Sequence, residues 1–209
     1  MSSPRRDHHL TRPELLDASL RIVDAEGLPA LTMRRLADTV GVEPMSLYHH
    51  VPGKEALLDA TVERMRAEMR LPDPLPGDWQ GILEAIFTEY RRVLVAHPNL
   101  LPLASRRTGG SSISGLEFLV SQGMERDAAV ELYQSLVAFT IGYSTLSAPT
   151  ATADWTTLPA DLSERVRDWR EDTFRRGLRG IMAAFSPGGT AAVGPAATPK
   201  SKKKAGKKR

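Results

Sequence analysis

Apolar residues in this chain recur every three or four positions over most of its length and seldom alternate, which predicts helices and few strands. Four such stretches fill residues 11–70, broken near Gly27-Leu28-Pro29, at Gly41 and at Pro52-Gly53, where turn-forming residues cluster. In the second stretch Met33, Leu36, Ala37 and Val40 share one helical face and Arg34, Arg35 and Asp38 lie opposite. Thr32 is placed to cap that helix, Gly41 to end it in the left-handed conformation, and Pro44 to open the next. Leu47 and Val51, four apart, then face inward, while Met45, Ser46, Tyr48 and His49 face out. A fourth helix carries Leu58, Val62, Met65 and Met69 along one stripe.

Leu71-Pro72-Asp73-Pro74-Leu75-Pro76-Gly77 cannot continue a helix and reads as a stiff linker. Beyond it, Asp78 begins a helix with Ile82, Leu83, Ile86, Phe87, Tyr90, Val93 and Leu94 on a broad apolar face, ending near His97-Pro98. A short apolar stretch from Leu100 to Ala104, a Gly/Ser loop from Thr108 to Ser112 and a helix over about Ile113 to Gln122 follow. From Arg126 to Leu146 apolar residues surround nearly the whole circumference, so that helix is expected to bury one face in the core and another against a second subunit. A last helix, about Leu162 to Phe185, offers Trp169, Phe174, Leu178 and Ile181 to the same interface, though an internal core explains part of the pattern. From Ser186 onward the chain is Pro-, Gly- and Ala-rich and then Lys-rich, with too little bulk to form a core.

Two helices around a glycine turn, the second with an outward hydrogen-bonding surface, have the layout of a helix-turn-helix. The same spacing also occurs in helical proteins without a nucleic-acid role. The residues as a string go further. Leu31-Thr32-Met33-Arg34-Arg35-Leu36-Ala37, then Met45-Ser46-Leu47-Tyr48-His49-His50-Val51, then Lys54-Glu55-Ala56-Leu57-Leu58-Asp59 resemble the TetR family of transcriptional regulators, in the branch near the tetracycline repressor. Residues 18–28 look like that family's first helix, and the resemblance covers roughly residues 9–69. It implies an all-α protein with an N-terminal three-helix helix-turn-helix DNA-binding domain and a helical C-terminal ligand-binding and dimerisation domain. The expected boundaries are a flexible basic arm over 1–8, a DNA-binding domain over 9–70 with its motif at about 32–51, a linker over 71–77, an effector-binding and dimerisation domain over 78–185, and a disordered tail over 186–209.

Carried over by position, the resemblance assigns DNA contacts to Thr32, Met33 and Arg34 at the start of the second helix and to Pro44, Met45 and Ser46 at the start of the recognition helix. It places Tyr48, His49 and His50 along the backbone and Lys54 on a phosphate. Met33 and Pro44 depart from the prototype, and neither donates a side-chain hydrogen bond, so the prototype's operator does not transfer. Arg34 carries the expected base specificity, because arginine pairs bidentately with guanine. The resemblance also implies an effector pocket, for which Met65, Phe87, Tyr90, His97, Phe118, Tyr133, Phe139 and Tyr143 combine apolar bulk with a few polar tips. Each of these is equally a packing residue, and His97 before a proline also reads as a helix C-cap. Met69-Arg70 stand where the tetracycline-binding members have histidine, which argues against tetracycline as the inducer.

Composition narrows the alternatives. The chain has 209 residues and no cysteine, excluding disulfides and thiolate chemistry. No apolar run is long enough to span a membrane and the N-terminus lacks a signal-peptide core, so a cytoplasmic location with no membrane partner is expected. Phosphate-loop, HExxH and dinucleotide motifs are absent, so neither an enzyme nor a cofactor or metal site is expected. The net charge of +3 is local in origin: without the seven basic groups from Lys200 to Arg209, 21 basic residues face 25 acidic ones, a net of −4. That tail reads as solubilising disorder, as a sequence-independent DNA clamp that releases counterions, or less readily as a membrane-surface segment. The expected partners are an operator duplex, a second copy of the chain and a small-molecule effector. The rival is a helical module that coats DNA through its lysine tail.

Overall fold

The computed structural model describes residues 10–106, 109–148 and 158–185; the expected arm and tail lie outside them. The described residues form α1 (Arg12–Glu26), α2 (Met33–Val40), α3 (Pro44–Leu47), α4 (Lys54–Arg66), α5 (Trp79–Ala96), α6 (Leu101–Arg106), α7 (Gly109–Ser121), α8 (Arg126–Ser147), α9 (Ala160–Arg167) and α10 (Glu171–Ala183). No strand occurs among them, and none of these helices is long and apolar enough to cross a membrane.

The head is built from α1 to α4. Thr11 caps α1 in a reciprocal box: its hydroxyl accepts from the Glu14 amide, and the Glu14 carboxylate accepts from the Thr11 amide at 2.9 Å. α1 packs along α4 and across α2, burying Leu15, Ala18, Ile22, Leu36, Ala37, Leu47, Leu57 and Leu58. Ala37, fully buried and small, lets α1 and α3 approach α2 closely. Arg64 of α4 reaches Asp17 of α1 at 2.6 Å and fixes the register of the two long helices.

The body is organised on α5 and α8, with α7 and α10 packed against α8. Asp78 caps α5 by accepting from the Gly81 amide at 2.6 Å, and α5 ends at His97. Trp79, buried at the start of α5, is a core residue that the apolar stripe did not single out. Arg179 of α10 clasps Glu84 of α5 with two bonds of 2.7 and 2.8 Å. Gly177 of α10 lies against the Phe139 ring, where a β-carbon has no room, so α10 seats closely on α8.

Outside the recognition turn, three helix boundaries differ from expectation. α4 ends at Arg66, and Met69 packs half-buried beyond it. α7 begins at Gly109, inside the expected Gly/Ser loop, because packing of Leu119 and Gly115 against α8 outweighs the weak helix preference of those residues. The expected last helix is two helices, broken at Asp168, Trp169 and Arg170. The Tyr143 hydroxyl donates to the Arg170 carbonyl at 2.8 Å and Arg91 to the Trp169 carbonyl at 3.4 Å, so side chains from α8 and α5 satisfy the backbone at the break.

Candidate nucleic-acid interface and cavity

The interface is set by local chemistry. The Thr32 hydroxyl accepts from the Arg35 amide at 3.0 Å and opens α2. Gly41 closes it at φ 74°, ψ 31°, and the Val42 amide donates back to the Ala37 carbonyl at 3.1 Å. Pro44 occupies the first turn of α3, where no amide is needed. α3 is shorter than expected: after Leu47 the chain tightens, with the His50 amide donating to the Leu47 carbonyl at 2.9 Å. Leu47 and Val51, essentially buried, hold this turn against the head. His50 is further held through its carbonyl, which accepts from Arg12 of α1 at 3.1 Å, a tie no local pattern announces.

The outward set is therefore oriented by its buried neighbours. Met45 is 74% exposed and Tyr48 46%, Arg34 and His49 are exposed, and Met33, Pro44, Ser46 and His50 are half-buried. Thr32 remains exposed beside its cap bond. Lys54 stands exposed at the first position of α4, after Gly53. Arg35 is bound to Glu26 at 2.6 Å, whereas Arg34 makes no salt bridge among the described residues. The two adjacent arginines thus have different jobs: Arg35 ties α2 to α1, and Arg34 faces solvent.

A cavity of about 440 Å³ opens between α4, α5, α7 and α8 under the linker residue Leu75. Of the eight residues expected at a pocket, Phe87, Tyr90, Phe118 and Tyr133 line it. Gly115 makes room for the Tyr133 ring, since a β-carbon there would stand 2.6 Å from it. Met69, Ile82, Ile86 and Val137 complete the apolar wall, and Glu63 and Arg66 of α4 supply its charge. The two charged residues escaped the sequence reading because they flank the apolar stripe of α4, and only the packing of α5, α7 and α8 shows that the cavity opens at its edge.

Met65, His97, Phe139 and Tyr143 do not line this cavity. Met65 is fully buried in the core. Phe139 stacks on Phe174 at 5.4 Å, and Tyr143 meets Trp169 edge-on at 4.8 Å, so both belong to the contact between α8 and α10. The Arg91 guanidinium lies over the Tyr143 and Phe174 rings at 5.2 and 5.3 Å in the same cluster. His97 sits where head meets body. Its Nδ1 lies 2.9 Å from Asp24 of α1 and its Nε2 3.0 Å from Glu68, just beyond α4. Burial pulls its pKa down, but the hydrogen bonds and charges of Glu68 and Asp24 outweigh that and leave it above the ordinary value. Beside it, Asn99 donates to the Val23 and Asp24 carbonyls at 3.0 and 3.1 Å, closing the end of α1.

A capped helix, a glycine turn and a short helix with an exposed N-terminal face, mounted on a larger helical body, define a helix-turn-helix protein of the bacterial regulator type. Residues 15–61 match the description "Bacterial regulatory proteins, tetR family" and residues 71–165 match "Tetracyclin repressor-like, C-terminal domain". The chain belongs to the TetR family, whose members are DNA-binding transcription factors, not enzymes. It is 40% identical over 111 residues to the HTH-type transcriptional repressor DrrR1 of Streptomyces coeruleorubidus, a match covering 52% of this chain and 41% of that one. The chain thus spans less than half the length of that relative. The Escherichia coli tetracycline repressor protein class D is 28% identical over 195 residues, covering 84% of this chain and 89% of its own. Among solved structures, apo ActR from Streptomyces coelicolor superposes with a TM-score of 0.68 at 26% identity, covering 85% of this chain and 95% of ActR.

Proposed function

We propose that this protein is a cytoplasmic, homodimeric transcriptional repressor, released from a palindromic operator when a small molecule fills the cavity beneath its DNA-binding head. One observation carries the reading: α4 joins the two sites. Its first residue, Lys54, stands beside the exposed turn of α3, and its last turn supplies Glu63 and Arg66 to the cavity wall. A ligand that changes where α4 sits therefore changes where the head points. Its effect on DNA affinity equals its differential affinity for the two arrangements. The same ActR fold has been solved in complex with (S)-DNPA, at 27% identity and a TM-score of 0.65, which supports ligand binding in a body of this shape.

In this reading Pro44, Met45 and Ser46 face bases in the major groove, Arg34 reads a guanine from α2, and Thr32, Met33, Tyr48, His49, His50 and Lys54 follow the backbone. Dimer symmetry then requires two half-sites related by a dyad. The outward side of α8 supports the dimer: Val130 and Leu146 are 37% and 42% exposed, and Ala138 and Gly142 are exposed between them. Binding selection from random duplexes tests the function directly. One short inverted repeat, bound with a preference that weakens in Arg34→Ala and Ser46→Ala, is the expected outcome. Binding without a consensus, lost on deletion of residues 199–209, would instead identify a DNA-coating protein.

A further inference from the structure

The effector reading leaves open what kind of molecule the cavity accepts, and its walls are specific on this point. Phe87 and Tyr133 meet edge-on, with ring centroids 6.0 Å apart and planes at 62°, so flat aromatic faces stand among the aliphatic side chains of the lining. Ile86, Phe118 and Val137 extend the same apolar surface.

The polar end is asymmetric in burial. Arg66 and Glu63 pair at 2.7 Å, but the Arg66 side chain is only 11% exposed while that of Glu63 is 59% exposed. The negative charge stands in water, where it is screened, and the positive charge faces the low-dielectric interior. The Arg66 guanidinium also lies over the Tyr90 ring, 5.7 Å from its centroid. Tyr90 is 7% exposed, and its buried hydroxyl, beside the Arg66 guanidinium, finds no acceptor for its own hydrogen, although the residue lines the cavity. Burial holds that hydroxyl above its ordinary pKa, against the pull of the nearby Arg66 charge, so it remains a donor at neutral pH.

We propose that the cavity takes a flat aromatic molecule carrying one acidic group, its rings between Phe87, Phe118 and Tyr133 and its acid against Arg66 and the Tyr90 hydroxyl. A neutral aromatic that closes the cavity strips water from Arg66 and offers nothing in return. A cationic one adds repulsion at the same point. An acid supplies the acceptor that the Tyr90 hydroxyl lacks and matches the planar donor array of arginine, while Glu63 keeps its place at the mouth. The proposal rests on the effector reading of this cavity and adds the chemical class of its occupant.

Two fluorescent probes with the same ring skeleton test it on the full chain: anilinonaphthalene sulfonate, which is anionic, and phenylnaphthylamine, which is not. Ile86→Trp, which fills the cavity, is expected to abolish binding of both. Arg66→Gln is expected to weaken the sulfonate about tenfold or more while changing the neutral probe less than about twofold. Tyr90→Phe, which removes only the hydroxyl, should weaken the sulfonate severalfold with the neutral probe unaffected. Arg66→Lys should retain most of the preference, and together with Tyr90→Phe it carries the test if Arg66→Gln does not fold by circular dichroism. Equal weakening of both probes, or of neither, in the Arg66 and Tyr90 variants overturns the acidic-ligand assignment while leaving the cavity intact as a binding site. Retention of both probes by Ile86→Trp places them elsewhere and overturns the cavity reading along with the proposal.

Discussion

Thr32 and Gly41 bracket α2, and each acts through a single bond or dihedral angle. Thr32→Ala removes the hydroxyl that accepts the Arg35 amide and is expected to lower unfolding stability by about 1 kcal/mol in urea titrations. Gly41→Ala meets open space, yet it forces an L-residue to φ 74° and is expected to cost about 1–2 kcal/mol in the same assay. At the proposed DNA surface two basic residues are expected to separate cleanly. Arg34→Ala is expected to relax discrimination at one base pair of each half-site by about 1–3 kcal/mol, while Lys54→Ala weakens binding to all sequences and reduces the salt slope by about 1. Competition titrations against operator variants at several salt concentrations measure both. Thr32 and Gly41 were legible in the sequence because their roles are local: a cap and a left-handed turn are specified within three or four positions. The tie from Arg12 to the His50 carbonyl was not legible, since its partners are 38 residues apart.

At the scale of elements, the end of α5 is the most consequential join. The sequence left His97 between a helix cap and a pocket residue; in the fold its ring bridges Asp24 of α1 and Glu68 beyond α4, with Arg64 3.6 Å from the same Glu68. A histidine whose folded pKa is raised stabilises most when protonated. That contribution is fully present below the ordinary value of about 6.5 and is lost as pH rises through the higher folded pKa. His97→Gln is therefore expected to cost about 1–3 kcal/mol near pH 6, with the gap to the unmodified protein narrowing as pH rises. Unfolding curves at a series of pH values check this, and a gap that widens with pH would contradict the bridged geometry. The break between α9 and α10 belongs to the same scale. The apolar pattern runs through it unbroken, and only the tertiary partners Tyr143 and Arg91, from α8 and α5, give the freed carbonyls somewhere to bond.

For the molecule as a whole, the proposed dimer and the proposed release mechanism depend on the same body helices. A charge placed on the outward side of α8, as in Ala138→Glu, is expected to yield monomers by analytical ultracentrifugation. Operator affinity should then fall about 100-fold or more, because the second half-site is no longer delivered by a tethered head. A variant that stays dimeric and binds normally would move the interface off this surface. The cavity volume of about 440 Å³ lies in the range of small-molecule sites, and in the proposed mechanism its position against α4 links occupancy to the head.

The sequence by itself determined the all-helical class, the capped helix-turn-helix and the identity of its outward residues, because periodicity, caps and turns are written in adjacent positions. It also carried the family, through several motifs in order. Only the tertiary structure decided which aromatic residues face a cavity and which fill a core. Phe87, Tyr90, Phe118 and Tyr133 line the cavity while Phe139 and Tyr143 pack between α8 and α10, although all six sit on helices at similar spacing. The reason is physical: helical period fixes which residues share a face, but what that face meets depends on how distant helices cross.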